Sequence, residues 1–345
     1  MPDLSSPMLV ADVGGTNVRF ALAAADRHPP LIEDSIRIYR VADFDSFDAA
    51  ARRYLEEIGA TAERGVVAMA GLFDGDTVVA TNSGWRVNGA ATRKALGMRS
   101  VRLVNDFTAM SMCLPLLDPD QIETIGDIAA PTIGAVESQT FAVVGPGTGL
   151  GVGGLLLRGG RFEPLQTEGG HSSFAPANAE EREVLARLAA RFGHVSNERL
   201  VSGQGLVNLH AALSEIAGAP AATLAPEDIT ARADSDTLCR RAVETFCAVL
   251  GGVAGDVAMT LGAWDGVYLG GGLPPVLLER LRGSAFRERF EAKGRLAVRL
   301  REVPTVVIMY GLAGLLGAAG IAQSDAGAAL LRKPAGIVAS QGSSA

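Results

Sequence analysis

Two glycine-rich segments, about 130 residues apart, each interrupt a stretch of apolar residues. The first, Gly14-Gly15-Thr16-Asn17, lies between an apolar run at 8–12 and an alternating run at 18–22. The second, Gly145–Gly151, lies between runs at 141–144 and 152–157. A period of two is typical of β-strands, and glycine permits tight turns. The pattern predicts two strand–turn–strand hairpins with Gly-Thr at each turn, and so a duplicated architecture.

Apolar strand patterns alternate with helical patterns along the rest of the chain. We expect strands at 65–70, 101–104, 265–269 and 305–309, and helices at 45–58, 107–117, 179–191, 206–215 and 237–261. Asn178 fits an N-cap for the third helix, with Glu181 three residues later and Gly193 just past the end. This alternation predicts an α/β fold, and 345 residues correspond to about two domains.

Charge and cysteine content narrow the function classes. The chain carries 31 Lys and Arg against 38 Asp and Glu, a net charge of −7, which argues against non-specific binding to nucleic acid or anionic lipid. Its three cysteines form no Cys-x-x-Cys pair, which argues against a disulfide framework or a zinc knuckle. The first basic residue is Arg19 and no apolar run reaches the length of a membrane span. We therefore expect a soluble cytoplasmic protein.

The first glycine turn follows Asp12. Glycines at positions 14 and 15 allow backbone N–H groups to approach a phosphate, the Thr16 hydroxyl can donate, and Asp12 can hold a hydrated Mg²⁺. The alternative is a type I′ hairpin turn with an aspartate at its edge.

The second turn contains Gly149-x-Gly151-x-x-Gly154, which matches a dinucleotide-binding fingerprint with Glu168 as the ribose ligand. That fingerprint needs a helix after its glycines, whereas residues 152–157 read as a strand. A lysine-containing phosphate loop is excluded, because no lysine follows a glycine. Any phosphate must therefore be held by backbone, hydroxyl groups and metal.

Further segments carry candidate chemistry. Asn105-Asp106 ends a strand and begins a helix, where Asp106 can accept a proton from a hydroxyl nucleophile that Asn105 orients. The alternative is that Asp106 only caps the helix, a contribution of about 1 kcal/mol.

Glu168, His171 and Glu198 suit a polyol, since carboxylates accept from vicinal hydroxyls. The alternatives are a helix-dipole role for Glu198 and a partly buried, satisfied His171. Gly270-Gly271-Gly272 has two interpretations: a turn that faces an adenosine, or only a strand-to-helix turn. Asn82 also has two: a residue that lines a sugar site, or a loop residue. Neither a Ser-His-Asp arrangement nor a His/Cys metal cluster accompanies these residues.

Together and in order, these segments resemble the bacterial glucokinase family, in the actin-like ATPase superfamily that also contains hexokinases. The resemblance covers about residues 8–322 and rests on the motifs at 12–17, 105–109, 145–151, 168–171, 193–199, 202–206 and 270–272. It implies that Asp106 is the general base and that the hexose ligands are Asn105, Asp106, Glu168, His171 and Glu198. It further implies that Asp12 assists Mg²⁺ through water and that ATP is bound by Gly14, Gly15, Thr16, Asn17, Gly147, Thr148, Gly149, Gly270, Gly271 and Gly272.

The resemblance also implies a two-domain, ribonuclease H-like fold with an active-site cleft between the domains. The expected smaller domain is 1–112 with 311–333, the larger is 113–310, and 334–345 is a flexible tail. Related proteins with a zinc loop carry several cysteines near the equivalent of His171; none is present here, so His171 is expected to bind sugar rather than zinc. The family expectation is a cytoplasmic, glycolytic homodimer.

Three other functions are weighed against ATP-dependent phosphorylation of glucose. One is a hexokinase of broader specificity, for mannose, fructose or glucosamine, or with ADP or polyphosphate as donor. Another is an NAD-dependent oxidoreductase, from the glycine fingerprint. The third is a non-catalytic sugar sensor, for which the first strand, beginning near Met8, leaves no room for a DNA-binding segment.

Overall fold

The computed structural model describes residues 7–81, 84–220, 223–327 and 330. Within these residues fourteen strands form three sheets: β1 (Met8–Val13), β2 (Asn17–Ala23), β3 (Leu31–Arg40), β4 (Arg64–Met69), β5 (Gly71–Asp74), β6 (Thr77–Ala80), β7 (Arg86–Asn88), β8 (Ser100–Asn105), β9 (Ile122–Ile125), β10 (Ser138–Pro146), β11 (Leu150–Arg158), β12 (Arg161–Gln166), β13 (Gly266–Leu269) and β14 (Thr305–Ile308).

The same residues contain twelve α-helices: α1 (Phe47–Ile58), α2 (Gly89–Ala95), α3 (Asp106–Cys113), α4 (Ala179–Phe192), α5 (Gly203–Ile216), α6 (Pro226–Arg232), α7 (Thr237–Leu261), α8 (Leu273–Val276), α9 (Leu278–Gly283), α10 (Phe286–Glu291), α11 (Ala297–Leu300) and α12 (Ala313–Asp325). The mixture confirms the predicted α/β class.

The chain divides into two compact units. The first comprises residues up to Val104 and those from Ala318 onward, and the second is Asn105–Gly317. The corresponding boundaries were expected at residues 112 and 311. The expected tail, 334–345, lies outside the described residues.

Each unit contains one of the predicted hairpins, followed by parallel strands. In the first unit β1 pairs antiparallel with β2 and parallel with β4, within a sheet of order β3-β2-β1-β4-β8. In the second, β10 pairs antiparallel with β11 and parallel with β13, within a sheet of order β12-β11-β10-β13-β14-β9. The first five strands follow the same order in both sheets, which confirms the duplicated architecture.

The first glycine turn, Gly14–Thr16, differs from a type I′ turn. That turn needs positive φ at both central residues, and neither Gly14 nor Gly15 has it. The Gly14 N–H instead donates to the Asn17 carbonyl, at 2.9 Å. The type I′ interpretation is therefore wrong.

At the second turn a strand, not a helix, follows Gly149, which excludes the dinucleotide-binding interpretation.

The core of each unit forms between its sheet and its helices. In the first unit the Phe20 ring stacks on Tyr54 of α1, with 5.2 Å between ring centroids. Contrary to the expectation that no segment reaches the length of a membrane span, α7 in the second unit is long and apolar enough to do so, but 61% of its apolar window is buried in the protein. A Cβ at Gly251 would overlap the backbone of Phe286 in α10, so these helices pack at close range. These contacts are those of a core helix.

Most predicted helix ends are confirmed, and the exceptions have local causes. Asn178 caps α4 by accepting from the Glu181 N–H, at 2.8 Å. Ser202 caps α5, which therefore begins at Gly203, earlier than the periodicity predicts. The helix expected at 107–117 ends as an α-helix at Cys113, because Pro115 in the next turn has no N–H to donate and a 3-10 helix, Leu114–Leu116, follows.

Candidate active site

Asn105 and Asp106 lie where β8 ends and α3 begins. Asn105 is the N-cap residue: its Oδ1 accepts from the N–H groups of Phe107, at 2.8 Å, and Thr108, at 3.3 Å. Asp106 is the first helical residue, and its Oδ1 also accepts from the Phe107 N–H, at 3.0 Å. The cap is thus Asn105, and the interpretation of Asp106 as the helix cap is wrong.

This arrangement leaves each side chain with a distinct chemical capacity. The Asn105 side chain is buried and its oxygen is used by the cap, so its NH₂ group is the part that can donate to a ligand. Asp106 is half-buried at the positive end of a helix, which favours a carboxylate anion. A donor and a proton acceptor on adjacent residues suit the binding of one hydroxyl.

The aromatic ring of Phe107 fixes this helix start against the second hairpin. Gly145 and Gly151 are directly opposite each other on β10 and β11. A Cβ at either glycine would overlap the Phe107 ring. The structure therefore seats the start of α3 on the hairpin that carries the turn Gly147–Gly149, a packing contact that sequence patterns did not reveal.

The turn Gly147–Gly149 is flanked by two other segments. The Gly147 carbonyl accepts from the Gly203 N–H at the start of α5, at 2.8 Å. A Cβ at Gly271, which has a φ of +82°, would lie 2.7 Å from the Pro146 carbonyl. The turn at Gly270–Gly272 thus lies against the strand end that leads into the second hairpin turn. Two of the three predicted nucleotide segments are together in one unit.

Glu198 reaches the same turn. Its Oε2 accepts from the Leu150 N–H at 2.9 Å, and its carboxylate occupies the space that a side chain at Gly149 would need. Ser202 donates from its Oγ to the Glu198 carbonyl, at 2.8 Å, which ties this segment to the start of α5. Glu198 lies in a three-residue 3-10 helix, Asn197–Arg199, so a helix-dipole role does not apply.

Glu168 immediately precedes a second short 3-10 helix, Gly169–His171, and His171 is its last residue. Gly170 lies so close to the Leu150 carbonyl that a Cβ there would overlap it. The Asn197 N–H donates to the Ser172 carbonyl, at 2.9 Å, which joins this segment to that of Glu198. The structure therefore brings these two predicted sugar-binding segments together.

Glu168 and His171 are both exposed. The alternative of a partly buried His171 is therefore wrong. Asn82 lies outside the described residues.

Asp12 belongs to the first unit and pairs across the hairpin with Arg19. The two residues are opposite each other on β1 and β2, and Asp12 Oδ2 lies 3.1 Å from an Arg19 guanidinium nitrogen. Burial raises the pKa of Asp12, and the charge and hydrogen bond of Arg19 oppose that rise. Gly15 and Thr16, at the adjacent turn, are exposed.

The donor set near Asp12 fits one kind of metal site. Among the described residues there is no group of three or more His, Cys, Asp or Glu side chains that can hold a metal ion. A single carboxylate suits Mg²⁺, which keeps several waters and takes its other ligands from substrate phosphates. The residues therefore fit an ion that arrives with a nucleotide.

Comparison with known proteins identifies the family. The glucokinase family model matches residues 9–325. The chain belongs to the glucokinase family. A glucokinase of Stenotrophomonas maltophilia (strain R551-3) is 51% identical over 92% of this chain and 95% of that protein. The resemblance inferred from the motifs is thereby confirmed.

Solved glucokinase structures share the fold. The crystal structure of a glucokinase from an Antarctic psychrotroph superposes with a TM-score of 0.82 and 33% identity, over 92% of this chain and 98% of that chain. A ROK family glucokinase from Streptomyces griseus, in complex with glucose and AMPPNP, has a TM-score of 0.60 and 18% identity, over 92% of this chain and 99% of that one. The second comparison supports the fold alone.

Proposed function

We propose that this member of the glucokinase family transfers the γ-phosphoryl group of ATP to the 6-hydroxyl of glucose, giving glucose 6-phosphate and ADP. The observation that carries the proposal is the packing of Phe107 on Gly145 and Gly151, which seats the helix that begins with Asp106 on the hairpin of a glycine turn suited to phosphate. A proton acceptor and a phosphate-binding turn at close range are what an alcohol needs in order to attack a phosphoryl group.

On the acceptor side, Asp106 takes the proton of the 6-hydroxyl while the Asn105 NH₂ group orients that oxygen. The other sugar hydroxyls bind to Glu168, His171 and Glu198. Carboxylates accept hydrogen bonds from vicinal hydroxyls, and a neutral imidazole both donates and accepts. The contacts that join these two segments around Leu150 support this assignment.

On the donor side, backbone N–H groups and hydroxyls hold the phosphates, because no lysine follows either glycine turn. We assign the phosphates to Gly147, Thr148 and Gly149 and, from the first unit, to Gly14, Gly15, Thr16 and Asn17. The turn Gly270–Gly272 binds the adenosine. Membership of the glucokinase family supports ATP as the donor.

We assign Mg²⁺ to Asp12, through bound water. When bound, the ion neutralises negative charge on the phosphates. Arg19 holds the Asp12 carboxylate in place across the hairpin.

The interdomain cleft rests on the family resemblance, as do a homodimeric state and a cytoplasmic location. Closure of such a cleft excludes water, which otherwise competes with the sugar for the phosphoryl group. Sedimentation of the purified protein tests the dimer directly.

The proposal is tested by assaying glucose 6-phosphate formation with ATP and Mg²⁺. Mannose, fructose and glucosamine are assayed in parallel, and ADP and polyphosphate replace ATP in separate reactions. Preferred turnover of glucose with ATP supports the proposal, and comparable turnover of several sugars supports the broader hexokinase. Absence of turnover on every sugar by folded, ATP-binding protein would refute catalysis and favour a sugar sensor.

A further inference from the structure

The Phe107 ring occupies a space that two glycines create. Gly145 and Gly151 are a directly opposed pair at the end of the β10–β11 hairpin, next to the turn Gly147–Gly149. Neither has positive φ, so backbone conformation does not require glycine at these positions. The ring does, because a Cβ at either one would overlap its edge.

The rest of α3 is seated in the same way. One turn after Phe107, the Oγ of Ser111 lies 2.7 Å from the Cβ position of Gly153, the next glycine on the same face of β11. On another side of the helix, the Sδ of Met110 lies 3.2 Å from the Cβ position of Gly270. The helix that begins with Asp106 is thus fitted against both glycine segments assigned to the nucleotide.

Phe107 differs from the core aromatics of its unit. Phe141, Phe246 and Phe290 are fully buried, whereas Phe107 is half-buried. Its ring contacts backbone at the hairpin end rather than the middle of the core. A ring seated directly on the backbone of both paired strands sets the distance between α3 and the hairpin, because neither glycine has a side chain that can yield.

We propose that Phe107 is a positioning residue for phosphoryl transfer: its ring fixes the distance between the Asp106 carboxylate and the turn Gly147–Gly149. The inference rests on the proposed function, in which Asp106 takes the proton of the sugar hydroxyl. Phe107 itself touches neither substrate. It acts by keeping the Asp106 carboxylate and the phosphoryl group at a fixed distance. The rate of transfer is highly sensitive to that distance.

The first test replaces the ring. Phe107→Leu retains an apolar side chain but leaves α3 free to shift, so we expect kcat to fall by about 100-fold, the loss associated with a misplacement of about 1 Å. KM for glucose and for ATP should change by less than about threefold. Phe107→Met, which fills nearly the same volume with a flexible chain, is made in parallel as a variant that retains the fold.

Phe290→Leu is the matched control. It makes the same chemical change at a fully buried ring in α10 of the same unit, in a helix that packs against Gly255 of α7. We expect it to lower the thermal unfolding temperature while kcat changes by less than about threefold. The Phe107 variants should show the reverse, a large loss of kcat with a smaller loss of stability.

The decisive readout combines Phe107→Leu with Asp106→Asn. If Phe107 acts through Asp106, its replacement lowers kcat little once the carboxylate is gone, so the two losses do not multiply. Losses that multiply, or a kcat for Phe107→Leu and Phe107→Met within about threefold of wild type, would overturn the proposal. Failure of the proposed function shows separately, as the absence of glucose phosphorylation by the wild-type protein.

Discussion

The carboxylate of Glu198 accepts a hydrogen bond from the backbone N–H of Leu150, at 2.9 Å, although 48 residues separate them in the sequence. Leu150 directly follows the turn assigned to the ATP phosphates, and Glu198 is assigned to the hexose. The Glu198 side chain therefore belongs to the hexose segment and also contacts the nucleotide segment. Its orientation affects the turn as well as the sugar.

This contact predicts a double effect for Glu198→Asp. The shorter side chain loses the bond to Leu150, and a hydrogen bond to a charged group contributes about 1.5–3 kcal/mol, or roughly 10- to 100-fold in affinity. We expect KM to rise for ATP as well as for glucose. Glu198→Gln keeps an oxygen that can accept from Leu150, so its effect should fall mainly on glucose. Steady-state kinetics with each substrate varied checks this, and an unchanged KM for ATP in Glu198→Asp would contradict it.

Asp106→Asn should separate chemistry from binding. Loss of a positioned base lowers kcat by roughly 10²- to 10⁴-fold. Because Asn105, not Asp106, is the N-cap of α3, the helix should remain intact and ATP should still bind. Coupled measurement of glucose 6-phosphate, with calorimetric titration of an ATP analogue, checks both points. Near-normal turnover would show that Asp106 is not the base.

Gly271→Ala should weaken nucleotide binding. Gly271 has a φ of +82°, where a non-glycine residue costs roughly 1–2 kcal/mol, and a Cβ there would press on the Pro146 carbonyl. We expect a raised KM for ATP with KM for glucose unchanged. Gly283→Ala, in α9, is the control, because a Cβ there meets nothing within 4 Å and φ is not positive. Equal effects of the two substitutions would argue against a specific role for Gly271.

The free energy of unfolding should fall as the pH drops below about 6.5, the ordinary pKa of histidine. Burial in α5 lowers the pKa of His210, and the nearby Asp236 only partly opposes this. The unfolded chain then binds a proton more readily than the folded one, so folding loses stability from about pH 6.5 down to the lowered pKa.

His210→Gln should reduce this acid sensitivity. Urea unfolding at pH 8 and pH 5 measures it, with His194→Gln, an exposed histidine, as the control. The prediction fails if His210→Gln leaves the difference between the two pH values unchanged.

Sequence patterns predicted features that depend on neighbouring residues. The ends of α4 follow from the side chain at its cap, Asn178, and from Gly193 just after it. The strand after Gly149 follows from the short apolar stretch, 152–157, between two glycine turns. These signals are local, and tertiary contacts did not override them.

Features that depend on distant residues were not predicted. The packing of Phe107 on Gly145 and Gly151 joins positions about 40 residues apart, and nothing in the sequence near Phe107 indicates it. The conformation of Gly14 and Gly15 was also missed, because glycine adopts positive and negative φ with similar ease.

The three cysteines of the chain are all buried, and this makes the protein suited to site-specific labelling. Burial raises the pKa of the Cys113 and Cys239 thiols and raises that of Cys247 to about 12, so at neutral pH none is an accessible thiolate. Thr148, by contrast, is exposed at the tip of its turn. A cysteine introduced there would take up a maleimide fluorophore selectively, without removal of the native thiols, and its emission would report on the surroundings of the turn Gly147–Gly149.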